Sequence, residues 1–582
     1  MRTIILDGNI SYKAVSQILN SKVLKGLIEE IINDCVKRNC ELMPFLNKFK
    51  NKGRKYDIYS IMHLMQSLFM NKLEYVDTSS YYNFPDVKGY KESIALFVEK
   101  LYNAWRTKHR FMIKYEKYIE GESKYYKQMM LAESNSELKN LVLSTYRQIL
   151  RNVSDERLKI LRQLPGGAQA GFLVDTLKLF DKCTIEKCPQ LKKMKFIWSA
   201  VFQPPVVFHT RSNKRSGLFK VVDKPIMKNL KLRKPKDWYV LPLFVGKKLI
   251  YVVTYKDYIA HTAGLCNLFE LGDLERLKKM KAQAIYFFGM ENELFNNEQE
   301  ANGIIYREED GTYIGLLGRR EHTDYFGYMK KMILTLHNLI VIDEGNLPIH
   351  GAMAKIKLKN EKQFNVMIMG DSGAGKSETI DALNRLGENV SNVEIVIDDM
   401  GSLEIIEDKI IAFGTETGAF VRLDDLQPGY AYSAMDRSIF MNPEEHNARV
   451  IVPYSNYEEI IKPARVDLFL YANNYEKKGK DQKALTSFDS EEEAYNVLSS
   501  GMRRAKGTTS EEGLTRSYFA NPFGAVQRKE SHDKIARHFI HKMFENNIFV
   551  GELKTQLGID GYEEKGPLEA AKDLLDFLIN NK

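Results

Sequence analysis

The octapeptide Gly370-Asp371-Ser372-Gly373-Ala374-Gly375-Lys376-Ser377 constrains the fold of this 582-residue chain more than any other stretch. It satisfies G-x-x-x-x-G-K-[ST]. Its flanks suit the pattern, because Phe364 to Met369 is an apolar, strand-like run and Ser377 onward reads as a helix. Glycines let successive backbone N–H groups turn toward one anion, and the N-terminus of the following helix adds its dipole. All eight residues are therefore expected to line a nucleotide, with Lys376 reaching the β/γ-phosphates and the Ser377 hydroxyl ligating Mg²⁺. Downstream, Val393-Glu-Ile-Val-Ile-Asp398-Asp399 is an apolar strand ending in carboxylates. Paired Asp is also ordinary turn chemistry; the phosphate loop upstream favours metal holding.

A chain of this length exceeds one ordinary core, so two or more domains are expected. Residues 1–190 read as a mainly α-helical N-terminal domain. Ile58, Ile61, Met65 and Leu68 recur at helical spacing, as do Leu138, Leu141, Val142, Ile149 and Leu150 and the stretch from Leu96 to Trp105. That region carries no chemical motif. Breaks at Pro165-Gly166-Gly167 and Cys188-Pro189 precede a change of texture near residue 195. Short β-branched and aromatic runs follow at Phe196–Trp198, Pro205–His209, Trp238–Val245 and Leu249–Tyr255, which predicts an α/β architecture. The polar stretch from Glu476 to Glu512 reads as a surface segment.

Composition narrows the function classes. Hydrophobic residues are 44% and charged residues 28%, as in a soluble globular protein. No run approaches the roughly 20 apolar residues a bilayer demands. Asp7 interrupts the initial apolar run too early for a secretory signal, so the cytoplasm is the expected location. The net charge of +9 is spread among acidic residues without a Lys/Arg block, which predicts neither a nucleic-acid nor a membrane partner. Cys35/Cys40 and Cys183/Cys188 lack ligand partners at finger-like spacing, so the cysteines are expected to be reduced structural thiols.

Several segments, in order, resemble the ATP-dependent phosphoenolpyruvate carboxykinases from about residue 200 to the end. Tyr325-Phe-Gly-Tyr-Met-Lys330-Lys331 matches Y-x-G-x-x-K-K, and His350 lies 19 residues beyond Lys331, near the family's interval to its metal-binding histidine. Glu416-Thr-Gly-Ala-Phe-Val-Arg422 resembles E-G-G-C-Y-A-K, with Arg422 in place of a nucleotide-contacting lysine. Ala448-Arg449-Val-Ile-Val-Pro resembles T-R-V-S-Y-P, Ile460-Ile-Lys-Pro463 resembles I-V-K-P, and His209-Thr-Arg211-Ser212 resembles T-G-R-S. Leu498 to Thr508 is similar to the family's active-site lid.

The resemblance implies a bilobal carboxykinase-like P-loop fold, with a substrate-side lobe over 195–340 and a nucleotide lobe over 341–582 carrying a lid near 500–513. It implies ATP, with GTP and pyrophosphate used by relatives, together with Mg²⁺ and Mn²⁺. Oxaloacetate is the implied substrate, decarboxylated and phosphorylated to phosphoenolpyruvate. Lys331, His350 and Asp399 would hold Mn²⁺ beside Lys330, Arg211 and Arg449 would clamp carboxylates, Tyr325 would position the departing carboxylate, and Ser372 would sit near the enolate. Asp398 is counted with the catalytic residues.

Two loop positions depart from that family. Asp371 and Glu378, in G-D-S-G-A-G-K-S-E, resemble the HPr kinase/phosphorylases, which share the core fold, carry a His-Gly before the loop (compare His350-Gly351) and use an Asp of the later pair as base toward a protein serine. A kinase acting on a protein serine or a small hydroxyl compound is therefore the second reading. A nucleotide-sensing protein whose helical third binds a protein partner is the third.

Overall fold

The computed structural model describes residues 2–51, 55–76, 85–119, 121–154, 164–176, 188–223, 230, 232–387, 389–423, 432–505 and 513–580. The chain forms two units, one of Met1–Asp175 with Ile197–Phe208, the other of Thr176–Phe196 with His209–Lys582. The second unit runs across residues 340 and 341 without a division there.

The expected helices of the first unit are present: α1 (Lys22–Arg38), α2 (Ile58–Met70), α3 (Lys91–Arg106) and α4 (Lys124–Ser154). In α2, Ile61, Met65 and Leu68 are fully buried, each contributing about 1.5–3 kcal/mol by leaving water. The Asp57 carboxylate caps the helix by accepting from Ser60 N at 3.1 Å, and the Ser21 hydroxyl does the same for α1 from Leu24 N at 3.0 Å. Beside these helices the unit carries parallel strands that the expectation of a mainly helical domain did not include. Strands β1 (Thr3–Asp7), β2 (His109–Tyr115) and β3 (Ala170–Thr176) run parallel, and β4 (Lys195–Phe202) follows β3 in the sheet.

The physical reason lies in β2, which is buried along almost its whole length and so shows no alternation. It also carries Arg110, 1% exposed, whose guanidinium donates to the backbone carbonyls of Gly167, Trp105, Arg106 and Lys108. An arginine in a strand reads as surface unless such a carbonyl cage is foreseen. A second correction concerns Cys35 and Cys40. They form a disulfide across the C-terminal end of α1, where Asn39 turns left-handed at φ 50°. Cys188 and Cys266 are free thiols, and Cys183 lies outside the described residues. Among the described residues no helix is long and apolar enough to cross a membrane.

In the second unit, β5 (Trp238–Val245) and β6 (Lys248–Tyr255) form a buried antiparallel pair, and β7 (Ala284–Met290) and β8 (Tyr313–Gly318) extend it in parallel. Helix α5 (Phe326–Asp343) is apolar on nearly every side and almost wholly buried. A second sheet is built around β9 (Leu347–Leu358), β10 (Gln363–Met369), β11 (Val390–Ile397) and β12 (Met400–Ile406). Two further antiparallel strands, β13 (Gly418–Arg422) and β14 (Arg449–Pro453), pair separately. Strand β15 (Leu468–Asn473) lies parallel to β10, and Phe549–Lys554 lies parallel to β15.

Alternation along β10 explains how this sheet is covered. Val366 and Ile368 pack with α6 (Lys376–Arg385) and the C-terminal helix Lys565–Asn580, whereas Met367 and Met369 pack with helices Glu491–Ser500 and Lys529–Glu545. A strand buried on both faces, ending in a glycine loop and entering a helix, sets the site.

Candidate active site

The loop Gly370–Gly375 joins the end of β10 to the start of α6. Its closure needs backbone that only glycine adopts freely: Gly373 has φ +76° and Gly375 φ +88°. A Cβ on Gly370 would meet the Ala374 Cβ at 2.8 Å. The loop is pinned from behind, the Thr555 hydroxyl donating to the Ala374 carbonyl at 2.6 Å and Asn474 Nδ2 to the Gly373 carbonyl at 2.8 Å. Lys376 Nζ donates to the Asp371 carbonyl at 2.9 Å, while Ser372 and Ser377 are exposed.

Beside the loop, side chains from three elements converge. Asp399, in a left-handed turn at φ 72° between β11 and β12, accepts from Lys330 Nζ at 2.7 Å and Lys331 Nζ at 2.8 Å, both from α5. Lys330 also pairs with Glu416 Oε1 at 2.8 Å. His350 of β9 faces Asp399 Oδ1 through Nε2 at 3.0 Å, and its Nδ1 bonds the Ala520 carbonyl. Asp371 closes the group, 3.7 Å from His350 Nδ1 and 3.0 Å from Arg503 Nε. Phe519 and Ala520 both hold left-handed backbone, at φ 51° and 50°, where a non-glycine residue is strained.

The ionisation states follow from burial and neighbours. Burial pushes the Asp399 carboxyl up, but Lys330 and Lys331 together overcome it and hold the group well below the usual range. Burial and the adjacent Lys330 bring Lys331 down, against the pull of Asp399. Lys330 is driven up: burial opposes its charge, and Asp399 and Glu416 outweigh that. Burial lifts Glu416 to about 8 despite Lys330, and lifts Asp398 with help from Asp399. Asp371 stays below its ordinary value because His350 and Arg503 outweigh its burial.

A divalent cation fits this set through one specific feature. The Ala520 carbonyl only accepts, so His350 Nδ1 carries a proton, and Nε2 faces the Asp399 carboxylate either as the N–H of an imidazolium, whose charge also lowers Asp371, or as a lone pair. Lone pair and anion repel unless a proton or cation lies between them. Among the described residues no three His, Cys, Asp or Glu side chains form a metal-holding group. A third protein ligand beside His350 and Asp399 would be Lys331, whose Nζ is 2.8 Å from Asp399 and whose proton affinity burial and Lys330 reduce.

Two of the residues expected to meet carboxylates, Tyr325 and Arg449, lie around one ring, Phe420 of β13, together with Lys330. Tyr325 is 6.3 Å away between ring centroids, Arg449 Cζ lies 5.4 Å and Lys330 Nζ 5.9 Å from the ring. Arg422 sits directly across β13 and β14 from Arg449. Arg211 is about half exposed, its backbone N bonded to Asp324 Oδ2 at 3.2 Å and its Nε 4.0 Å from the same oxygen. Buried His261 holds the other Asp324 oxygen at 2.9 Å, which orients the residue just before Tyr325.

Sequence reasoning passed over several participants. Arg503 lies in the hairpin of Met502–Arg504 and Leu514–Arg516; the expected lid extends from it into residues 506–512, outside the described residues. Phe523 carries Lys331 Nζ at 4.6 Å and Arg215 Cζ at 5.2 Å from its ring. The only sequence signal for Arg503 was the unusual acid at Asp371, which asks for a cation. No family model matches the chain, and no curated protein matches it.

Proposed function

We propose that the chain is a nucleotide-dependent phosphoenolpyruvate carboxykinase. The observation that carries this reading is the convergence of Lys331, His350 and Asp399 beside the phosphate loop, with Lys330, Arg449 and Tyr325 around Phe420.

In this reading the backbone of Gly370–Ser377 wraps the β- and γ-phosphates, and Lys376 leaves the Asp371 carbonyl for them. Arg422 meets the nucleotide. Arg211 and Arg449 hold the carboxylates of oxaloacetate, since a planar fork fixes a carboxylate better than an ammonium does. Tyr325 orients the carboxylate that departs. The C–C bond to that carboxylate breaks, CO₂ leaves, and the electron pair becomes an enolate. Lys330, held cationic by its two carboxylates, stabilises the enolate oxygen. That oxygen attacks the γ-phosphorus as the bond to the β-phosphate oxygen breaks, giving phosphoenolpyruvate and ADP, with Ser372 near the enolate end. Lys331, His350 and Asp399 would hold one divalent cation and Ser377 with Asp398 a second, and such ions would supply Lewis-acid neutralisation of phosphate and enolate charge.

The decisive assay is CO₂ release from oxaloacetate with ATP and Mn²⁺, run beside Lys331→Ala. Turnover that disappears in the variant while ATP still binds is the expected result. Absence of turnover in the unaltered chain, with ATP bound, would overturn the proposal. The kinase reading would then stand, favoured by Asp398, whose raised affinity for a proton suits a base toward a hydroxyl.

A further inference from the structure

We infer that the first unit binds one small, uncharged apolar molecule in a cavity at the carboxyl end of β1. The cavity measures about 250 Å³ and is bounded by β1 and helices α1 to α4. Leu6, Leu27, Met65, Val98, Val142 and Ile149 form its apolar wall, and the rim carries Ile10 and Asp7. The cleft is half open to solvent, and its apolar walls forfeit both burial and dispersion contacts while nothing fills them. In open parallel sheets the carboxyl ends of the strands are also where ligands settle.

The chemical class follows from hydrogen bonding. Tyr12 donates to the Asp7 carbonyl, Tyr102 to the Pro165 carbonyl, Trp105 to the Gly166 carbonyl, Thr145 to the Leu141 carbonyl and Tyr146 to Glu99. Gln17 accepts from Lys13 N and Ala14 N and donates to the Ser11 carbonyl. Ser21 caps α1, and Asp7 Oδ1 accepts from Asn9 N and Nδ2. The hydroxyl and indole hydrogens named here are thus engaged, which disfavours a ligand that must accept several hydrogen bonds. An apolar cavity of roughly 150 Å³ accepts benzene. The larger space here takes a fused ring or a short alkyl chain, with one polar tip toward the rim at Asp7.

The test titrates the full chain with the uncharged fluorophore 1-aminoanthracene and displaces it with 1-octanol. Saturable binding near one probe per chain is expected, reversed by octanol. It should weaken at least tenfold in Val142→Phe and Leu101→Phe, two fillings of the cavity from different helices, so loss of fold in one leaves the other to report. Circular dichroism and melting identify a folded variant. No saturable binding in the unaltered chain, or equal affinity in a folded filled variant, overturns the inference. So does a dimer in sedimentation velocity that the probe dissociates, which would make a second copy the occupant.

Discussion

Asp371 is the residue on which the site's charge balance turns. It is 12% exposed and paired with Arg503, itself 8% exposed, so removing the carboxylate leaves charge buried beside His350. Asp371→Ala should therefore cost about 3–5 kcal/mol, the usual penalty for breaking a buried pair, read as a lowered denaturant midpoint. A change below about 1 kcal/mol would show that the pair is dispensable. Gly375→Ala acts on backbone instead. At φ +88°, with Thr555 atoms 2.7 Å from the added Cβ, the loop must open, and ATP affinity should fall at least tenfold by calorimetry. At this scale legibility depended on contiguity. Gly370–Ser377 and the carboxylates that end the apolar run at Asp399 are readable from residue chemistry alone, whereas Lys331 and His350 come only through resemblance. Phe523 meets the others across a long stretch of chain, and nothing local marks it.

Among the elements, α2 shows what the sequence makes plain and β2 what it conceals. Helical spacing, an Asp N-cap and a single apolar face all agree in α2, and the helix forms over Ile58–Met70. Asp57→Ala removes the bond to Ser60 N and should cost about 1 kcal/mol in thermal or chemical unfolding. Leu68→Ala, at a fully buried position, should cost about 2–5 kcal/mol, and a loss as small as that of Asp57→Ala would mean the core collapses around it. Strands β1 to β3 escaped because long helices separate them and, in β2 and β3, burial removes the period of two. Their hydrogen-bonding partners lie roughly 60 to 100 residues away, as in Thr3 with His109 and Phe111 with Ala170. Pairing over such distances leaves no local trace.

For the whole molecule, acid stability should fall in two stages. Burial holds His337 and His532 down at about 4, against 6.5 for the exposed ring. At these two sites the unfolded chain binds more protons between pH 6.5 and 4, so their contribution is full above that window and is lost as pH drops through it, while Glu416, lifted to about 8, acts in the opposite direction. Each histidine contributes at most about 3 kcal/mol to this loss. Asp371 and Asp399, whose folded values lie below the ordinary 3.8, add a second decline at lower pH still. Urea midpoints from pH 8 to 3 should show both stages, and His532→Gln should flatten the upper one; an unchanged slope would count against the assignment. The α/β class was legible from strand-like runs beyond residue 195. The division into units was not, because Ile197–Phe208 belongs with residues that precede it by a whole intervening segment.

That return of the chain has a temporal consequence. A ribosome delivers Met1–Asp175 well before Ile197–Phe208, so the nascent first unit must wait with one edge of β3 unclosed until β4 emerges. An open strand edge is a template for foreign pairing. Slowing translation just after residue 175 should therefore lengthen the time spent in need of a chaperone, a vulnerability belonging to the polypeptide's birth and absent from its finished form.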